Sequence, residues 1–155
     1  MKSKRESVRQ KLGAAGLALT MSMLVLTGCT AMSHVSARLH GTAVEFVDCD
    51  DSSFNTVLVL AGPHAQSISD APIVWKVQSH RRELKARTAV TLGSVPVGFT
   101  TLVPFSEFDI RKSRIEVTFA DSTHGTGQTG QFQGSSLVEG KWVNWSGNTV
   151  DHPCS

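Results

Sequence analysis

The fold class this sequence predicts is all-β: one sandwich of seven or eight short strands over residues 42–155, preceded by a helical signal peptide. Three observations predict it. Apolar residues recur at period two rather than 3.6, turn residues punctuate the chain at short intervals, and only Phe105–Lys112 (FSEFDIRK) reads as a helical turn. Ala43–Val47 (AVEFV) is the first strand. Thr56–Ala61 (TVLVLA) is apolar on both faces and reads as a central strand. Pro72–Val77 places Ile73, Trp75 and Val77 on one side, and Thr88–Leu92 and Thr100–Val103 follow. The clearest alternation is RIEVTFAD, where Ile115, Val117 and Phe119 interleave with Arg114, Glu116 and Thr118. A closing pair spans Ser136–Trp145, with Glu139-Gly140 as its turn. Between the strands lie Gly62-Pro63, Asp70-Ala71-Pro72, Gly93 to Pro96 and the Gly-rich loop Thr123–Gly130. Such spacing belongs to sandwiches with Greek-key connections.

The leader is legible on its own. Lys2, Lys4, Arg5, Arg9 and Lys11 face one acid, Glu6, and Leu12 to Thr27 then carries no charge. A basic stretch, an apolar stretch and small residues are the three regions of an export signal, and the apolar run is shorter than the ~20 residues of a spanning helix. Leu26-Thr27-Gly28-Cys29 closes the run and resembles the lipobox of bacterial lipoproteins. That resemblance implies that residues 1–28 are removed, that Cys29 receives a diacylglycerol (palmitate-type chains) and becomes the N-terminus, and that residues 29–41 form a short tether. Two or more acyl chains hold a protein firmly at a membrane.

Removal of the leader changes the charge. The chain has 15 Lys and Arg and 13 Asp and Glu, but residues 1–28 carry five of the former and one of the latter. The mature chain is therefore slightly acidic, so charge gives no argument for nucleic acid or anionic lipid as a general partner, and no nucleotide is expected either. Cys49 and Cys154 remain after lipidation, an even pair in an oxidising compartment, and read as a disulfide, with two separate buried thiols as the alternative.

Chemical motifs are sparse. His124-Gly125-Thr126-Gly127-Gln128-Thr129-Gly130 contains G-x-G-x-x-G, but GQFQGSS follows it where a dinucleotide site needs a helix N-terminus. Asp48-Cys49-Asp50-Asp51 opens like a calcium loop, yet Ser53 and Val59 stand where the EF-hand register wants Gly and Glu. His34, His40, His64, His80, His124 and His152 are scattered, and no G-x-S-x-G elbow occurs. No catalytic residue, metal ligand or cofactor is expected. His80–Arg87 (HRRELKAR) is the one basic cluster of the mature chain and reads as a solvated connection between two strands, with contact to lipid headgroups as the alternative.

Val95-Pro96-Val97-Gly98-Phe99, after Gly93, resembles a G-x-x-P-x-G-F element of small secreted bacterial proteins with Ig-like domains, and implies an Ig-like sandwich. Trp142 and Trp145, three apart on a strand, point to opposite faces, so at most one joins Trp75 in the core. The outward one, together with His124 and Gly127 of the Gly-rich loop, is the candidate partner surface. The expected role is a membrane-anchored binding or structural module with a protein partner in the cell envelope. A small extracytoplasmic hydrolase or metal-binding protein is the rival.

Overall fold

The computed structural model describes residues 34–155; the expected signal peptide, Cys29 and the start of the expected tether lie outside the described residues. Ten strands follow in order: β1 Val35–His40, β2 Ala43–Asp48, β3 Thr56–Pro63, β4 Ile73–Gln78, β5 Ala89–Thr91, β6 Thr100–Val103, β7 Ser113–Asp121, β8 Thr126–Gln133, β9 Trp142–Val143 and β10 Thr149–Val150. They form two five-stranded sheets, β10-β9-β1-β2-β5 and β6-β4-β3-β7-β8, and every strand pairing is antiparallel. The predicted all-β sandwich is the observed architecture. β3 is central, flanked by β4 and β7, as its two-sided apolar run requires.

The sheets enclose one core. Val44, Phe46 and Leu39 of the first sheet meet Val57, Trp75, Val117, Phe119 and Phe132 of the second. Phe54, on the link from β2 to β3, meets Phe119 edge-on at a centroid distance of 4.6 Å, and Phe46 lies 6.3 Å from Phe132. In β7 the residues alternate buried and half-buried along its whole length, the pattern read from RIEVTFAD.

The differences from expectation have local causes. The folded domain begins at Val35, so half of the expected 29–41 tether is strand β1. VSARLH hides its pattern because Ser36 and Ala37 are fully buried on a strand covered from both sides. The expected Gly-rich loop is mostly strand: Ser122–Gly125 makes the turn, with Gly125 at φ 67°, and β8 then pairs with β7 from Thr126 onward. Small residues suit β8 because the first sheet closes on it. A Cβ built on Gly130 would stand 2.7 Å from the Cβ of Val35. Strands β1, β8 and β10 add to the seven or eight expected, while the first arm of the expected Ser136–Trp145 pair is a 3-10 turn, Gly134–Ser136, followed by a single bridge from Val138 to Lys141. The helical turn at Phe105–Lys112 shortens to one 3-10 turn, Ile110–Lys112.

Cys49 and Cys154 are disulfide-bonded with Cα atoms 5.4 Å apart. Cys49 follows β2 rather than the first strand, because β1 precedes it. The bond straps the C-terminal tail across β1, where Ser36 Oγ donates a hydrogen bond to the carbonyl of Pro153.

Candidate functional site

The register places many of the chemistry-bearing residues at one end of the sandwich. Val35, which opens β1, faces Asp48, which closes β2. Ala89 opens β5 opposite Val47, so the 79–88 connection arrives at that end. The β7–β8 turn reaches it as well, since Gln128 Nε2 donates to Asp50 Oδ2. Val143 pairs with Ala37 and Thr149, which brings the Asn144–Asn148 turn there too.

At this end His34 Nδ1 bonds Asp50 Oδ1 at 2.8 Å, and the His34 ring lies 5.1 Å from the ring of Trp145. Trp145 is 39% exposed, held on a turn organised by Asn144, whose Oδ1 accepts the amides of Ser146 and Asn148. Asp48 sits beneath, only 2% exposed, with its Oδ1 accepting the Asp50 amide at 3.0 Å. Burial pushes its carboxyl up to about 6, the Asp50 amide opposing that rise.

His124 stands on the β7–β8 turn, its ring mostly in solvent, and its Nδ1 bonds Asp121 Oδ2. The hydrogen bond to Asp121 raises the His124 pKa, and the bond from His124 lowers that of Asp121. Asn55 Nδ2 and the Thr123 amide also bond Asp121 Oδ1. An imidazole oriented by a carboxylate is half of a hydrolytic triad, but no Ser, Thr or Cys side chain bonds His124 among the described residues.

Of the sequence-predicted partner residues, Trp145, His124 and Gly127 are exposed and Trp142 is not. Trp142 is 5% exposed and buried without joining the core: its neighbour Val143 faces inward, while Arg38 covers the indole with its guanidinium 4.5 Å from the ring centroid. Arg38 in turn donates from Nε to Glu45 Oε2 at 2.7 Å. Trp145 lies beyond β9, so the two indoles are separated by a turn rather than by the alternation of one strand. Gly127 lies within β8, where a Cβ would meet the Phe119 carbonyl at 2.8 Å.

Sequence reasoning missed a pocket of about 640 Å³ at the opposite end. Thr42 and Ala43 of the β1–β2 turn, Leu92–Ser94 after β5, and Phe105, Glu107, Phe108 and Ile110 line it. Three segments distant in sequence build it, which no local pattern discloses. Its volume lies in the range of small-ligand sites, and its wall mixes the polar Thr42, Ser94 and Glu107 with Phe105, Phe108 and Ile110. Among the described residues, no three His, Cys, Asp or Glu side chains gather into a metal-sized cluster.

No protein-family model matches the chain, and neither a curated protein nor a solved structure does.

Proposed function

We propose that this protein is an exported bacterial lipoprotein, anchored through Cys29, whose disulfide-closed sandwich serves in the cell envelope as a binding or structural interaction module and catalyses no reaction. One observation carries the reading: Leu26-Thr27-Gly28-Cys29 ends a charge-free run behind a basic segment. The fold is compatible with it. Only five residues lie between Cys29 and Val35, a reach of at most about 21 Å when extended. A lipid on Cys29 therefore keeps the His34–Trp145 end near the bilayer. The pocket lined by Phe105 and Phe108 then opens at the far end, some 20 Å along β1, toward a ligand or partner in the envelope space.

The rival reading, a small hydrolase, draws on the Asp121–His124 pair. One measurement tests the anchor and a second separates the readings. Wild-type chain should enter the detergent phase on temperature-induced separation and carry acyl mass, which Cys29→Ser should lose. Cross-linking in intact envelopes should then capture a partner that Phe105→Ala reduces and His124→Ala leaves alone. Loss of a hydrolytic activity in His124→Ala, with partner capture absent, would reverse the assignment.

A further inference from the structure

We infer that the end of the sandwich bearing Trp145 and the 79–88 connection is a docking face for the anionic headgroups of the membrane that anchors the protein; this rests on the lipid-anchor reading above. Two features point there. The first is where the tether ends: Val35 opens β1 at this end, and the short span from Cys29 leaves little room for any other end to approach the bilayer.

The second is that the 79–88 connection is a braced platform rather than a loose link. Ser79, buried, donates its amide to the Asn55 carbonyl at 2.8 Å, and its Oγ accepts the amides of Arg81 and Arg82 at 3.2 and 2.9 Å. Leu84 and Phe54 exchange backbone hydrogen bonds at 2.8 and 3.0 Å, and the Arg87 amide bonds the Asp48 carbonyl at 2.8 Å. Held at three points, the segment presents Arg81, Arg82 and Lys85 to solvent. Acids share this rim with the basic side chains, and each has a partner in the protein, although Asp51 and Glu83 stay exposed. Glu83 accepts from Ser53, Asp51 faces Arg87 at 3.5 Å, and Asp50 is shared by His34 and Gln128. A polar pocket of about 240 Å³ beside Asn55, bordered by His80, Arg81 and Arg82 and also by Glu83, has room for a headgroup phosphate. Guanidinium forks suit phosphate oxygens, and an indole suits the interfacial zone between headgroups and acyl chains. Trp145 thus fits a lipid surface on the anchored side, and the far pocket is left for the partner.

The test uses the full mature lipidated chain on vesicles. Trp75 and Trp142 are 1% and 5% exposed against 39% for Trp145, so quenching of tryptophan fluorescence by aqueous acrylamide reports Trp145, with Trp145→Phe as the control. On phosphatidylcholine vesicles containing 30% phosphatidylglycerol (about one lipid in three, enough for a strong surface potential), the quenching constant should fall at least threefold relative to pure phosphatidylcholine. Arg81→Gln/Arg82→Gln/Lys85→Gln should restore the higher value, and so should 0.5 M salt, which is about five times the ionic strength that sets a 10 Å screening length. A wild-type chain that floats with both vesicles yet shows equal quenching on each overturns the docking face and leaves the anchor standing. A chain that floats with neither overturns the anchor and the face together.

Discussion

Asp48→Asn should make the domain more stable at neutral pH, and the gain should vanish in acid. Asp48 is almost wholly buried and its carboxyl is pushed up to about 6 by that burial, from an ordinary 3.8. A raised acid binds its proton more tightly in the folded state than in the unfolded one. Its contribution to stability is therefore complete below about pH 3.8 and is lost as pH rises through about 6. The difference of about two pKa units corresponds to about 3 kcal/mol at most, at 1.36 kcal/mol per unit. Asparagine keeps the shape and an Oδ1 to accept the Asp50 amide, and it has no charge to desolvate. Urea unfolding of both chains between pH 4 and pH 8, with the disulfide intact, measures the difference. Any constant offset from fitting the amide group cancels in the slope. The stability of Asp48→Asn relative to wild type should climb by 1–3 kcal/mol across pH 4 to 7, the range the linkage relation allows, and level off above. A difference independent of pH would refute the reasoning, whatever its size.

The Cys49–Cys154 bond closes a loop of 105 residues, so Cys49→Ser/Cys154→Ser should cost about 4–5 kcal/mol in the chain-entropy model, read by urea midpoint, and the wild-type mature domain should show neither of these thiols free. Trp142→Ala should cost about 3–5 kcal/mol, because a buried indole under Arg38 is lost, whereas Trp145→Ala should change thermal stability by less than about 1 kcal/mol. The Asp121–His124 pair has a raised imidazole and a lowered carboxyl. Its stabilisation should be present from about pH 4 to 6.5, lost on the acid side as Asp121 protonates below its ordinary 3.8, and lost on the basic side as pH rises through the raised value of His124. A histidine titration by NMR should place the His124 midpoint above that of a peptide histidine, and Asp121→Asn should return it.

Strands with large apolar residues at alternate positions were legible from the sequence: β2, β3, β4 and β7 carry Phe46, Val57, Trp75 and Val117 on one face each. β1 was not, because its outer face is also covered, by the C-terminal tail at Ser36 and by Trp142 beside Arg38, which erases the wet–dry alternation. β8 was not either. TGQTGQFQ has the composition of a loop and becomes a strand through pairing with β7, a tertiary effect that outweighs local propensity. Of the candidate surface, Trp145 and His124 were visible as an aromatic and a turn histidine. The burial of Trp142 depends on Arg38, 104 residues earlier in the chain, and the far pocket on Phe105 and Phe108 folding beside the β1–β2 turn. Neither relation is written in neighbouring residues.

The intact mass of the mature protein, isolated from a bacterial host in detergent, tests the central claim most directly. A chain that begins at Cys29 and carries a diacylglycerol on its thiol, with the Cys29→Ser chain free of acyl mass, is the result expected from Leu26-Thr27-Gly28-Cys29. A mature chain that begins elsewhere, or that begins at Cys29 with an unmodified thiol, would contradict the anchor and the orientation of the sandwich argued from it.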